Sequence, residues 1–308
     1  MLSRLSAIVL AASLASSSCV LAADATRSWF PFINDADLVV EPLARLAKIS
    51  GQIIEGHDVE DPGAFPASYY ARVSAGSIVS RCTATLIGPR VIATAAHCVG
   101  DGKTITVVNG ASSFSGLCFR HHSFNTNKSA DLALCVLKQM PGDVVAERVA
   151  ATNYVVKKND LVTLAGFGCT TRFSAGGNDG VFRVGTSSVS HTTGGDAEGT
   201  LYFVTESNPA APAVVCPGDS GGAVFCESDP NNLWGSRQVC GIISRFECHK
   251  WQNDQICEDI GHRSYLTDFY KAYLTFADWS KPENLPTQLK GHSICGLSPG
   301  IDHLCRQN

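Results

Sequence analysis

Three short strings contain the residue types that acyl transfer through a serine requires. His97 lies in the string TAAHC, Asp131 begins the string DLAL, and Ser220 lies in the string GDSGG. A serine hydroxyl is a weak nucleophile at neutral pH, so this chemistry needs an imidazole to take its proton and a buried carboxylate to orient the imidazole. Each of these residue types alone is more often structural than catalytic. Together, the three strings predict a general base, an orienting carboxylate and a nucleophile.

The three strings, in the order His, Asp, Ser, resemble the trypsin/chymotrypsin family of serine endopeptidases. The resemblance implies that Ser220 attacks the scissile carbonyl carbon while His97 acts first as base and then as acid, with Asp131 holding His97 in place. It also implies an oxyanion hole formed by the backbone N–H groups of Gly218 and Ser220, because donors must point at the charge that develops on the carbonyl oxygen. We therefore expect a serine endopeptidase that works through an acyl-enzyme intermediate.

The distribution of β-branched residues predicts an all-β barrel or sandwich, because short runs of them recur between Gly and Pro turns. A later pattern, in which Leu266, Phe269, Tyr270, Tyr273, Leu274 and Ala277 recur at three and four residues, predicts one helix with Thr267 as its cap. The resemblance implies two six-stranded antiparallel β-barrels followed by a C-terminal helix. The predicted strands are 69–73, 77–79, 85–87, 91–93, 104–108, 132–137, 161–165, 201–205, 223–226 and 238–244.

The resemblance also identifies a candidate specificity pocket. Ser244, in the string GIIS, matches the family serine that bonds to the buried aspartate and begins the strand on which substrate lies. Val214 takes the pocket-floor position, where an apolar residue leaves a Lys or Arg side chain of the substrate without a partner. Arg245 and Phe246 replace the Trp-Gly of the family, and Gly261 matches a wall glycine. We therefore expect small to medium apolar residues before the cleaved bond.

The chain has 13 cysteines, and removal of a signal peptide containing Cys19 would leave 12. An even number in a secreted chain predicts six disulfides, whereas a zinc site needs paired Cys-x-x-Cys motifs with matching histidines. The resemblance implies that Cys82 pairs with Cys98 beside the histidine, and that Cys216 pairs with Cys248 beside the pocket. The other expected pairs are Cys226–Cys240, Cys118–Cys135, Cys295–Cys305 and, from the cysteines that then remain, Cys169–Cys257.

The first 23 residues are typical of a secretory signal peptide. Arg4 supplies a positive charge, residues 5–14 are largely apolar, and small residues at 22–23 suit cleavage. A lipid anchor at Cys19 is the alternative, although the serines before it lack the large aliphatic residue of such signals. The apolar stretch is too short to span a membrane as a helix. We therefore expect a secreted chain, extracellular or periplasmic, with no stable membrane anchor.

The family resemblance also predicts activation by cleavage. Ile53 begins IIEG, which is similar to the Ile-Val-Gly-Gly start of activated members, whose new N-terminus inserts beside the aspartate before the nucleophile, here Asp219. Because Gln52 is not a trypsin-like cleavage site, a start at Ile49 after Lys48 is the alternative. The expected segments are a signal peptide at 1–23, a propeptide at 24–52, a protease domain at 53–280 and a cysteine-containing tail at 281–308.

Composition bears on the partners of the chain. A formal net charge of −4 and a pI near 6.1 offer no basic surface, so nucleic acid is not an expected partner. The nine histidines are scattered, and we expect neither a metal nor another cofactor. Protein or peptide substrates and protein inhibitors are the expected partners of a monomer. The competing function is a catalytically silent binding protein that keeps the protease fold with an occluded pocket, and Phe246 alone favours it.

Overall fold

The computed structural model describes fourteen segments of the chain, within which sixteen strands and one α-helix are found. The segments are 37–38, 53, 56–59, 61–75, 78–142, 144–150, 154–169, 180–192, 201–226, 236–247, 251–252, 256–257, 262–276 and 289–306. The strands are β1 (Asp37–Leu38), β2 (His57–Asp58), β3 (Ser68–Ala75), β4 (Ile78–Leu86), β5 (Val91–Thr94), β6 (Thr104–Asn109), β7 (Ser112–Arg120), β8 (Ala133–Leu137), β9 (Leu161–Gly166), β10 (Arg183–His191), β11 (Tyr202–Glu206), β12 (Ala223–Cys226), β13 (Gln238–Glu247), β14 (Trp251–Gln252), β15 (Ile256–Cys257) and β16 (Arg263–Asp268), and the helix is α1 (Phe269–Phe276).

Most of these strands form two closed, antiparallel, six-stranded barrels, as expected. Barrel 1 has the order β3-β4-β5-β8-β7-β6 and closes through β3 and β6, while β1 adds to its β3 edge. Barrel 2 has the order β11-β16-β13-β12-β9-β10 and closes through β10 and β11, while β2 adds to β10. Closure pairs the edge strands, which would otherwise expose unpaired backbone groups. The all-β fold class with two barrels and a short C-terminal helix is therefore confirmed.

Seven described strands were not predicted from the sequence: the barrel strands β7, β10 and β16, and the two-residue strands β1, β2, β14 and β15. β7, β10 and β16 contain many Ser, Gly, Arg and Asp residues and lack a clear run of β-branched side chains. The predicted strands 77–79 and 85–87 belong largely to one continuous strand, β4. In a closed barrel the neighbouring strands supply backbone hydrogen bonds along the whole segment, so tertiary pairing outweighs local propensity.

The helix begins three residues later than the predicted pattern. Leu266 and Thr267 belong to β16, which pairs with β11 and β13, and the helix starts at Phe269. Asp268 caps it, because the Lys271 backbone N–H donates to Asp268 Oδ1 at 3.0 Å. The prediction of Thr267 as the cap was therefore wrong. No helix within the described segments is long and apolar enough to cross a membrane.

The tail packs against the connection between the barrels. The Cys295 backbone N–H donates to Ile87 O of barrel 1 at 2.8 Å, and the Val149 N–H donates to Cys295 O at 2.9 Å. Cys305 forms a parallel bridge with Ala146, and the disulfide Cys295–Cys305 is present. The described part of the tail, residues 289–306, is thus part of the folded body.

A buried ion cluster lies under this connection. Glu147 is fully buried, and its carboxylate accepts hydrogen bonds from the Arg237 guanidinium at 2.5 and 3.2 Å. Arg306 of the tail lies 3.2 Å from the same carboxylate. Both arginines also donate to Ala64 O, at 2.7 and 2.9 Å. A buried charge is tolerated when it is paired and hydrogen-bonded, and this one joins barrel 1, barrel 2 and the tail.

Candidate active site

His97 and Asp131 form a closely coupled pair on barrel 1. His97 lies in the short 3₁₀ helix Ala96–Cys98 after β5, and Asp131 lies just before β8. The His97 ring Nδ1 is 2.7 Å from Asp131 Oδ2, and the His97 backbone N–H donates to Asp131 Oδ1 at 2.9 Å. The ring therefore presents its other nitrogen away from the carboxylate, as a general base requires.

Barrel 2 completes the hydrogen bonding of Asp131. The Ser244 hydroxyl donates to Asp131 Oδ2 at 2.6 Å. Burial by itself would raise the pKa of the Asp131 carboxyl, but the attraction of His97 and the hydrogen bonds from His97 and Ser244 outweigh it and hold the pKa below its usual range. Asp131 therefore stays a carboxylate at neutral pH and can stabilise a protonated imidazole.

Ser220 approaches this pair from barrel 2, on the loop that leads into β12. Its hydroxyl lies 3.4 Å from Ser244 O, where it can donate a hydrogen bond. The preceding Gly218 has φ of +102°, a left-handed backbone conformation that glycine adopts readily. Gly218 and Ser220 thus lie on a loop of barrel 2 that contacts Thr83 of barrel 1, the barrel that carries His97 and Asp131.

Four of the five predicted pocket residues lie in described segments of barrel 2 or of the loop before β12, and these are Val214, Ser244, Arg245 and Phe246. Val214 and Ser244 are buried, whereas Arg245 and Phe246 are partly exposed. Phe246 packs against the core cluster of barrel 2, which includes Val215.

The predicted wall residue Gly261 lies outside the described segments. In the described strands, β13 and β16 pair so that Phe246 faces Ser264 across the sheet. The buried Ser264 hydroxyl accepts a hydrogen bond from the Val215 backbone N–H at 3.2 Å. Ser264 is therefore the described residue opposite Phe246.

Comparison with known proteins agrees with the two-barrel fold. The family model described as Trypsin matches residues 53–271. This chain belongs to the trypsin family. Among solved structures, a mutant of human heparin binding protein matches with a TM-score of 0.53 and 18% sequence identity, over 75% of this chain and 97% of that one. This structural likeness bears on the fold alone, and no curated protein matches the sequence.

Sequence analysis of this trypsin-family chain missed Tyr202, on β11. The Tyr202 hydroxyl donates to Lys128 O at 2.6 Å, and its oxygen lies 2.9 Å from Ser244 Oγ. It therefore supports the serine that bonds to Asp131. Nothing in the local sequence marks this tyrosine, because its role depends on the pairing of β11 with β16, which places it beside Ser244.

Four of the expected disulfides are present in the structure. They are Cys82–Cys98, Cys118–Cys135, Cys226–Cys240 and Cys295–Cys305. The sulfurs of Cys82 and Cys98 lie within 4.8 Å of a His97 ring nitrogen, in a grouping that could hold a metal if the thiols were free. Because the two sulfurs are bonded to each other, they brace the histidine loop instead.

The expected pair Cys216–Cys248 is wrong, because Cys216 is bonded to Cys169. The physical reason is the Asp219 carboxylate, which accepts the Gly168 N–H at 2.7 Å and the Cys216 N–H at 2.8 Å. It thereby holds the two cysteine-bearing segments together. The expected pair Cys169–Cys257 is wrong for the same reason.

We expect non-reduced peptide mapping by mass spectrometry to recover a peptide pair joining Cys169 to Cys216. Its matched control is the Cys82–Cys98 pair, which sequence and structure both place beside His97. Recovery of Cys216 joined to Cys248 would contradict the structure. Cys248 itself lies outside the described segments.

Asp219 is a fully buried carboxyl whose charge is poorly compensated. Burial raises its pKa from 3.8 to about 7, although hydrogen bonds from Cys216 and Gly168 and the charge of Arg183 act in the opposite direction. Ile53 is also fully buried, in the cluster of barrel 2 that includes Val215. The Asp219 carboxyl, directly before Ser220, therefore holds its proton more tightly than an ordinary carboxyl does.

A pH dependence of stability follows from the raised pKa of Asp219. The stabilising contribution of Asp219 to folding is fully present below pH 3.8, which is its pKa in the unfolded chain. It is lost as the pH rises through about 7, its pKa in the folded chain. The test compares the uncleaved Ser220→Ala chain with the same chain that also carries Asp219→Asn. We expect the melting temperature of the first chain minus that of the second to fall as the pH rises from about 5 to about 8.

The comparison with Asp219→Asn removes the effect of other titrating groups. Burial and the neighbouring His122 lower the pKa of His121 to about 4, so His121 makes the fold less stable at acid pH in both chains. A difference in melting temperature that stays constant over this pH range would contradict the assignment to Asp219.

Proposed function

We propose that this trypsin-family chain is a secreted serine endopeptidase, made as a zymogen. The observation that carries the proposal is the hydrogen-bonded set of His97, Asp131 and Ser244, together with the Ser220 hydroxyl 3.4 Å from Ser244 O. Family membership and several disulfides favour a location outside the cytosol, extracellular or periplasmic. Protein or peptide substrates, and protein inhibitors, are the proposed partners of a monomer.

The proposed reaction begins when Ser220 Oγ turns from Ser244 O toward the free ring nitrogen of His97. As Oγ bonds to the scissile carbonyl carbon, His97 takes the hydroxyl proton, and the N–H groups of Gly218 and Ser220 stabilise the oxyanion. The carbon–nitrogen bond then breaks, and His97 gives the proton to the leaving amine. A water molecule, activated by His97 in the same way, hydrolyses the acyl-enzyme and regenerates Ser220. Asp131 stays ionised throughout.

We expect Ser220→Ala to abolish covalent labelling by a fluorophosphonate probe and to lower peptide turnover by about 10⁶-fold, as loss of a triad nucleophile does elsewhere. The control is Ser190→Ala, because Ser190 lies on β10 and its hydroxyl donates to Val204 O. It should label like the wild-type protein. Turnover by Ser220→Ala above about a tenth of wild type would exclude the proposed nucleophile.

For activation, we propose that cleavage before Ile53 creates an ammonium that pairs with Asp219. The raised pKa of Asp219 supports this, because a buried cation would favour the ionised carboxylate. We expect N-terminal sequencing of the active enzyme to begin at Ile53, or at Ile49 if cleavage follows Lys48. An active enzyme whose N-terminus lies upstream of Ile49 would contradict activation by this route.

For specificity, we propose a preference for small to medium apolar residues before the cleaved bond. Val214 offers no charge to a basic substrate side chain, and Phe246 faces Ser264 at one wall. We expect a peptide library to show this preference, and Val214→Asp to increase cleavage after Arg and Lys. A preference of the unmodified enzyme for Arg or Lys would mean that another acid supplies the charge, with Glu247, Glu258 and Asp259 as candidates.

The second candidate function is a catalytically silent binding protein with an occluded pocket. The partly exposed Phe246, packed against the barrel 2 core, favours it, and one protein of similar fold is named for binding heparin. The fluorophosphonate experiment separates the two functions, because covalent labelling at Ser220 requires a working base and oxyanion hole. Absence of labelling in the cleaved, folded protein would favour the binding function.

A further inference from the structure

Thr83 connects barrel 1 directly to the loop that carries the nucleophile. It follows Cys82 on β4, and its side chain is fully buried. Its hydroxyl donates to Gly218 O at 2.9 Å and accepts the Phe167 backbone N–H at 3.0 Å. Its backbone N–H donates to Ser220 O at 2.7 Å. One barrel 1 residue thus holds both residues whose N–H groups form the proposed oxyanion hole.

Gly218 is the residue for which such a restraint matters most. Gly218 has a φ of +102°, and because it has no side chain its backbone dihedral angles are only weakly restricted. The peptide groups on either side of it can therefore rotate readily. A hydrogen bond to Gly218 O fixes the orientation of the following peptide, which limits the rotation of the residue as a whole. The hydroxyl of Thr83 therefore restricts the backbone that must present the Gly218 N–H.

Thr83 is itself fixed from the histidine side of the site. The Thr94 hydroxyl donates to Thr83 O at 2.8 Å, and Thr94 lies three residues before His97. The hydroxyl of Thr83 has both its donor and its acceptor function used, by Gly218 and Phe167. A buried hydroxyl satisfied in this way has one preferred orientation.

We propose that Thr83 is a positioning residue for the oxyanion hole: its hydroxyl locks the Gly218 peptide so that the donors of barrel 2 keep a fixed place relative to His97 on barrel 1. This inference rests on the proposed endopeptidase function. Thr83 touches neither the substrate nor the reacting atoms, and it acts through Gly218 and Ser220. Its removal should affect the acylation transition state more than substrate binding, because substrate is expected to lie along β13 from Ser244 onward.

The test compares Thr83→Val, which keeps the size of the side chain and removes the hydroxyl, with Thr83→Ser, which keeps the hydroxyl. The matched control is Thr85→Val on the same strand. Thr85 is fully buried and on the same face of β4, and within the described segments its hydroxyl has no hydrogen-bond partner. Thr83→Ala serves as a second variant, because it places no methyl group against the polar atoms of Phe167 and Gly218.

We expect Thr83→Val to lower kcat for a peptide substrate by about tenfold while KM stays within about twofold, because removing an oxyanion donor outright costs more. Thr83→Ser should restore kcat, and Thr85→Val should leave it unchanged. Affinity for a peptide boronic acid, whose tetrahedral adduct places an oxygen in the oxyanion hole, should fall in parallel with kcat/KM. If Thr83→Val does not fold, Thr83→Ala is measured in its place.

The outcomes separate this inference from the proposed function. An active wild-type enzyme whose kcat and boronic acid affinity are the same in the Thr83→Val and Thr85→Val variants would overturn the role of Thr83 alone. A lower melting temperature for Thr83→Val with unchanged kcat per labelled site would assign Thr83 a merely structural role and overturn the inference as well. Failure of the activated wild type to react with a fluorophosphonate would overturn the proposed function, and this inference with it.

Discussion

The active site depends on a carboxylate that is bonded from both barrels. Asp131 belongs to barrel 1, yet its Oδ2 accepts hydrogen bonds from the His97 ring and from Ser244 of barrel 2. A buried carboxylate is unfavourable unless donors surround it, and both barrels supply donors that keep Asp131 ionised. The attraction of the His97 ring, on the same barrel, is the largest factor that lowers the pKa of Asp131, and the Ser244 hydrogen bond from barrel 2 adds to it. The contact between the barrels thus completes the hydrogen bonding of the carboxylate that orients His97.

The close contact between the two barrels also explains one glycine of the string GDSGG, Gly221. Gly221 has φ of +83°, and a Cβ there would lie 2.1 Å from Thr94 Oγ1 and 2.2 Å from Thr83 O. Only a residue without a side chain allows the nucleophile loop to approach barrel 1 so closely. Gly221, in the string that marks Ser220 in the sequence, is therefore required by the close packing of the nucleophile loop against barrel 1.

The sequence predicts residues whose chemistry is local and is less informative about residues that act through long-range contacts. His97, Asp131 and Ser220 lie in strings that are recognisable without a structure, and the barrels follow from the resemblance. Tyr202 and Thr83 matter because strand pairing places them beside Ser244 and Gly218, respectively. The barrel strands β7, β10 and β16 were likewise not predicted, because they lack long β-branched runs and are stabilised by pairing with neighbouring strands.

The error at Cys216 has the same origin. Its partner Cys169 is 47 residues away, and the two are brought together by the buried Asp219 carboxylate, which no sequence spacing reveals. The disulfide therefore links the loop that carries Ser220 to the segment after β9. This places a covalent restraint next to Asp219, the group that, in our proposal, becomes ionised on activation.

Away from the catalytic cleft, a second buried carboxylate is bonded from several parts of the chain. Glu147, on the connection between the barrels, is bonded by Arg237 of barrel 2 and lies 3.2 Å from Arg306 of the tail. Both arginines also reach Ala64 O, ahead of β3. An unpaired buried carboxylate would destabilise the fold strongly, so this cluster penalises movement of any one of these parts. The tail, although it lies beyond the matched family segment, thereby contributes to the barrel arrangement on which Asp131 depends.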